Sequence, residues 1–172
     1  HRPTRFKFKY NEKDKRCQRI KKCLQEQLIR LYNQGVRCFW VGGAMGVDMW
    51  AAELLLRMKE QQAYQDVELC LALPFEGYNA DWDDWHRKRM DFICRYAEKV
   101  LVLGEMPSSE SYKKRNYYMV EQAGHMIAVY DNAHNMRSGT QQTVNYAKKK
   151  GLQIIYIHPD TAQVTAEDIT KK

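Results

Sequence analysis

No apolar run in this chain approaches the ~18–20 residues that a membrane span needs. No apolar secretory segment opens it either, which predicts a cytosolic protein with no membrane partner. Its cysteines, Cys17, Cys23, Cys38, Cys70 and Cys94, are scattered, odd in number and without a C-x-x-C pair. That argues against a disulfide framework and a cysteine zinc site, and predicts buried, reduced thiols. Internal repeats and low-complexity segments are absent. What remains is 172 residues, 44% of them hydrophobic, enough for one globular domain with a real core.

The formal charge of +7 is unevenly placed. Residues 1–22 hold ten Lys or Arg against two acids, a net +8; the other 150 hold 18 basic and 19 acidic groups, a net −1. A surface for nucleic acid would therefore be built mostly by one segment. A solvated loop and helix face is the plainer reading, so no tight nucleic-acid binding is expected.

Residues 1–11 read as a loop with a short strand-like alternation of Phe6, Phe8 and Tyr10. From about Glu12 to Asn33, Ile20, Leu24, Leu28 and Leu31 recur at helical spacing, and Gly35 suits the position just past the helix end. The chain then alternates. Strands are predicted at 36–41, 67–73, 99–104, 125–131 and 152–157. Helices are predicted around Val47–Met58, Ala80–Ala97, Glu110–Ala123 and Thr140–Lys150. Apolar strands alternating with helices predict an α/β fold, Rossmann-like and doubly wound, with a mostly parallel sheet and helices on both faces. The first helix has no clear strand before it and the first residue is His1, so a strand ahead of residue 1 is expected.

Three glycines stand between the strand VRCFWV and the helix that follows, in VGGAMGVDMWAAE (Val41–Glu53). Ligands of open α/β sheets bind beyond the carboxyl ends of the strands. Gly42, Gly43 and Gly46 lie there. Glycine admits close backbone approach, and the helix N-terminus beyond offers free N–H groups and partial positive charge, which suit a phosphate. The pattern matches neither G-x-x-x-x-G-K-[ST] nor G-x-G-x-x-G. Asp48, in the first helical turn, would repel a phosphate placed against it but could cap the helix or hold a sugar hydroxyl. A plain tight turn is the alternative. A second turn of this kind, Ser138-Gly139-Thr140, opens the helix after the fourth predicted strand, with Arg137 adding charge. Its plain reading is an ordinary serine-capped helix start. Two such turns side by side would make one cleft.

The segments HRP (1–3), GGAMGVDMWAAE, LALPFEG, RNYYMVEQAGHMIAVYD and SGTQQTVNYA resemble, in this order, the YpsA-like proteins of the SLOG superfamily, which joins DprA and the LOG enzymes. The resemblance covers nearly the whole chain. It implies a Rossmann-like fold, a nucleotide-type ligand of the ADP-ribose kind, a first strand and a glycine ahead of HRP, and a pocket lined by His1 and Arg2. LOG enzymes resemble P-G-G-x-G-T-x-x-E, with a catalytic glutamate. Thr143 stands at that position here, which disfavours N-glycosidic hydrolysis by that mechanism.

Glu76, just past a strand end, is a candidate ribose contact or base, and Arg115 and Asn116 could reach the ligand if their helix crosses the cleft. Trp82 and Trp85 are read as core by their spacing, with base stacking as the alternative. Asp81, Asp83 and Asp84 suit a helix start better than a metal, and no metal is expected. His86 and His134 show no partner, and His125 reads as structural. The sequence thus predicts a sensor, or an enzyme of unknown reaction, that takes a nucleotide-type ligand and no certain cofactor. Phosphate would meet Gly42, Gly43, Gly46, Ser138, Gly139 and Thr140; Asp48 or Glu76 would hold a ribose; Arg2 and Arg137 would neutralise a diphosphate. The alternatives are a DprA-like binder of single-stranded DNA and a nucleotide hydrolase. A homo-oligomer is compatible with the composition.

Overall fold

The computed structural model describes residues 2–131 and 138–167. Helices and strands alternate as α1 (Lys15–Asn33), β1 (Cys38–Val41), α2 (Val47–Lys59), β2 (Glu68–Leu73), α3 (Asp84–Tyr96), β3 (Lys99–Val102), α4 (Ser109–Glu121), β4 (His125–Val129), α5 (Gly139–Lys149), β5 (Gln153–Ile157) and β6 (Val164–Glu167). Local chemistry sets the helix ends. Asp14, Asp83, Ser108 and Ser138 each accept a hydrogen bond from a first-turn backbone N–H, as N-caps do. Gly35, at φ +102°, ends α1 in the conformation glycine adopts most cheaply.

The strands form two ladders. One runs β1-β2-β3, all parallel; the other runs β4-β5-β6, with β4 and β5 parallel and β6 antiparallel to β5. One core covers a face of both ladders. It joins Leu24 and Leu28 of α1, Leu55 and Met58 of α2 and Ile93 of α3 to Phe39, Leu71, Val129, Ile155 and Ile157. A second core on the opposite face packs Val120 of α4 and Val144 and Ala147 of α5 on Ala128, Ile154 and Tyr156. This is the expected α/β fold, with helices on both faces of mostly parallel strands.

Between β1 and β4 lies a cavity of about 360 Å³ lined by Phe39, Val41, Met126 and Ile127, with Leu28 and Val120 among its helical walls. Inter-strand hydrogen bonds join each ladder internally, and this cavity lies between them.

Expectations are corrected in detail, and one strand is added. The Phe6–Tyr10 segment is a bend and turns that follow a 3-10 turn at Pro3–Arg5, not a strand-like piece; Phe6 and Phe8 stack on each other at 4.8 Å and bury against Trp50. The third helix starts at Asp84, not near Ala80, since the Asp83 side chain caps it. β6 was not foreseen; its exposed, polar residues carry no apolar alternation. Among the described residues no helix is long and apolar enough to cross a membrane. All five cysteines are free, but only Cys17 and Cys70 are buried, and Cys38, at the first position of the short strand β1, is exposed rather than buried as expected.

Candidate functional site

The turn Gly42–Gly46 links the carboxyl end of β1 to α2. Each of its glycines is bare because protein approaches it. A Cβ on Gly42 would lie 2.6 Å from an Arg115 guanidinium nitrogen; one on Gly43 would lie 2.6 Å from Leu73 and 2.8 Å from the Tyr78 hydroxyl; one on Gly46 would lie 3.1 Å from Pro3. Gly43 and Gly46 also sit at φ +69° and +90°, where a side chain is strained. Asp48 closes the turn: its carboxylate accepts a hydrogen bond from the Ala44 N–H at 3.2 Å.

Arg115, on α4, is 6% exposed. It donates to the Gly42 carbonyl and, at 2.7 Å, to the Asn116 side-chain oxygen. Burial pushes its guanidinium down from its ordinary value, with the Asp48 charge opposing. Arg2 and Arg115 both lie over the Tyr112 ring, at 5.9 and 5.7 Å from its centroid. Neither forms an ion pair with a carboxylate among the described residues.

Two chambers meet at these arginines. The larger, about 580 Å³, is lined by Ala44, Met45, Val47 and Asp48 of the first turn and by Ser138, Gly139 and Thr140 of the second. Arg5 and Asn116 line it as well, so both turns face one cleft at the carboxyl edge of the strands. The smaller, about 340 Å³, is walled by Tyr10, Tyr78, Trp82 and Tyr112. Arg2, Thr4, Ala44, Met45, Tyr112 and Arg115 border both.

Of the residues expected at the site, Arg2, Asp48, Arg115, Asn116, Ser138, Gly139 and Thr140 line this cleft. Gly42 and Gly43 lie behind it, shaping the turn, while Gly46 lines a small neighbouring pocket with Pro3. Glu76 is exposed and lines neither chamber. His1, His134 and Arg137 lie outside the described residues. Thr143 borders the cleft, but its hydroxyl donates back to the Gly139 carbonyl at 2.7 Å within α5. Trp85, expected in the core, is 67% exposed, because the Asp83 cap turns it to the outer face of α3. Trp82 is half-buried in the wall of the smaller chamber. His86, expected without a partner, meets the Asp83 carboxylate at 2.5 Å. Among the described residues no group of acids, histidines and cysteines could hold a metal.

Sequence reasoning passed over Tyr78 and Tyr112. Tyr78 follows Gly77, and its hydroxyl donates to the Gly43 carbonyl at 2.8 Å; nothing in its local pattern marks that contact across 35 positions. Tyr112 sits one residue from the buried Ser111, and helical periodicity alone gives it no role.

The sequence model of the YspA SLOG family (YpsA) matches residues 1–162. The chain belongs to the YpsA family. Among curated relatives, a UPF0398 protein of Bacillus cereus strain ATCC 14579 is 31% identical over 134 residues, 77% of this chain and 71% of its own length. A UPF0398 protein of Bacillus thuringiensis strain Al Hakam is 30% identical over the same shares of the two chains. The YpsA match takes in both glycine turns, Arg115 and Thr143.

Proposed function

We propose that this YpsA-family protein binds a nucleotide-type small molecule, of the ADP-ribose kind, in the cleft between its two glycine turns, as a sensor or as an enzyme acting on that ligand. One observation carries the reading: two helix N-termini, those of α2 and α5, open onto the same 580 Å³ chamber beside Arg2, Arg5 and Arg115. Helix N-termini favour anions, and arginine fits phosphate with two donors at once. The serine cap of α5 supports a sugar or phosphate contact through Thr140 and the first-turn N–H groups. Asp48 and Asn116, on the chamber wall, can take sugar hydroxyls.

Catalysis through the LOG position is disfavoured because Thr143 is a hydroxyl already bonded to the backbone. Among the described residues Asp48 is the carboxylate that lines the chamber, and it is the candidate base should a reaction occur. Isothermal titration with ADP-ribose, NAD and AMP, followed by chromatography of each mixture after incubation, tests the reading. Micromolar or tighter binding of at least one supports it, and new products mark an enzyme. No binding by any of them at millimolar concentration overturns it.

A further inference from the structure

We propose that the smaller chamber, walled by Tyr10, Tyr78, Trp82 and Tyr112, holds the base of the ligand, with its phosphates at the waist between Arg2 and Arg115 and its second polar group between the glycine turns. This rests on the reading of the larger chamber as a nucleotide cleft and adds the orientation of the ligand within it.

The geometry has three parts. First, the chamber is aromatic and built. Tyr78 is fixed by its hydrogen bond to the Gly43 carbonyl and packs edge-on against Trp82, ring centroids 5.6 Å apart at 81°. Burial pushes the Tyr78 hydroxyl up, so it stays a neutral donor in that bond. Such rigid aromatic walls suit a planar ring, which stacks on them at little ordering cost. Second, the chamber, about 340 Å³, has room for a base and opens onto its neighbour of about 580 Å³, so the rest of a longer ligand can continue there. Third, the boundary between the chambers carries the charge. Arg2 and Arg115 both reach the Tyr112 ring there, and the buried Arg115 donates to the Gly42 carbonyl and the Asn116 side-chain oxygen, with the Asp48 carboxylate nearby but not ion-paired to it. Two guanidinium groups brought together repel each other, and an anion between them relieves that repulsion. Base, diphosphate and second polar group then follow in one line from the aromatic chamber across the waist to Ser138 and Thr140. A mononucleotide would fill only half of it.

The test compares ADP-ribose with inorganic pyrophosphate by titration calorimetry on the wild type, Trp82→Ala and Tyr10→Ala. Tyr10 is 52% exposed, so its removal leaves the fold intact even if Trp82→Ala does not fold. Losing a stacking side chain should weaken ADP-ribose roughly tenfold or more at Trp82 and severalfold at Tyr10, with pyrophosphate affinity unchanged. ADP-ribose should also quench a component of the tryptophan fluorescence that Trp82→Phe lacks. If ADP-ribose binds the wild type but neither alanine variant weakens it, the base subsite is overturned and the cleft reading stands. If both variants weaken pyrophosphate as much as ADP-ribose, the chamber holds no base and the orientation is overturned. If ADP-ribose does not bind the wild type, this orientation is overturned, whereas the cleft reading falls only if NAD and AMP fail to bind as well.

Discussion

The buried guanidinium of Arg115, on α4, donates a hydrogen bond to the carbonyl of Gly42 at the end of β1. The contact ties α4 to the turn that leads into α2. It is also why position 42 has no side chain, since a Cβ there would lie 2.6 Å from one guanidinium nitrogen and 3.0 Å from the Asp48 carboxylate. Arg115 is too enclosed to retreat freely. Gly42→Ala is therefore expected to cost about 1–3 kcal/mol of stability, the usual range for overpacking, and to weaken ligand binding by displacing Arg115 into the waist. Gly124→Ala is the control, because a Cβ there meets nothing within 4 Å. Urea denaturation of the two variants checks this. Equal midpoints would show that Arg115 yields without cost.

The same contacts mark the limit of what the sequence discloses. The order of strands and helices was legible because each strand is an apolar run and each helix repeats its apolar face, as in Ile20, Leu24, Leu28 and Leu31. That both turns share an edge was legible too, since each follows a strand and opens a helix. The reason for the glycines was not. Gly42 and Gly43 are bare because of Arg115, Leu73 and Tyr78, each at least 30 positions away, and no local pattern encodes such a meeting. The placement of Trp82 in a cavity wall and Trp85 in solvent turns on one capping aspartate, Asp83, which shifts the start of α3. Glu76 was legible as a residue past a strand end, but Phe75 beside it takes the buried position and Glu76 faces solvent.

Acid should loosen the anchor of the N-terminal segment. Arg89 on α3 holds Glu12 at 2.5 Å and Glu53 of α2 at 2.7 Å, and Lys21 adds a contact to Glu12 at 2.6 Å. Burial alone would raise the Glu12 carboxyl, but the hydrogen bonds from Arg89 and Lys21 outweigh it and hold the group at about 2, below its ordinary 4.5. A carboxyl lowered by folding stabilises the fold above its unfolded value, and that contribution is lost as the proton binds. The loss should run from about pH 4.5 down to about 2. Denaturation midpoints measured across that window should fall more steeply for the wild type than for Glu12→Gln, and the curves should converge at the acid end. Parallel curves would show that Glu12 contributes nothing through its charge.

Single-stranded DNA should bind weakly. Residues 1–22 carry a net +8, but Lys7, Arg16 and Lys21 are already paired with Asp160, Asp14 and Glu12. Arg2 and Arg5 face the cleft, which leaves the short exposed row Lys15, Arg19 and Lys22 on α1 as the main basic stripe of this segment. The expected affinity is that of non-specific contacts, about 10⁻⁴–10⁻⁶ M at physiological salt, falling steeply as salt rises. Fluorescence anisotropy with a labelled oligonucleotide measures it. Sub-micromolar binding at physiological salt would favour a DprA-like activity over the nucleotide cleft.

The gap between β1 and β4 gives the last prediction. Its cavity of about 360 Å³ is bordered by the strand residues Phe39, Val41, Met126 and Ile127, with apolar helix residues above and below. Both bordering strands run parallel to their own partners and present an unpaired edge toward the gap among the described residues. The gap opens beside Asp48, Met119 and Thr143, which also border the larger chamber, and Arg2 lies at that chamber. An extended apolar segment joined ahead of residue 1 would thus run through the gap parallel to β1 and β4 and reach Arg2 at its carboxyl end. It would pair both free edges and join the two ladders into one sheet. A five-residue Val- and Ala-rich extension is expected to raise the urea midpoint. It should also slow amide exchange in β1 and β4, because buried ladder hydrogen bonds open only with larger unfolding events. A polar Ser- and Asn-rich extension of equal length should do neither, since it gains no apolar burial in that slot. Equal midpoints and equal exchange for the two extensions would show that the gap does not accept a strand.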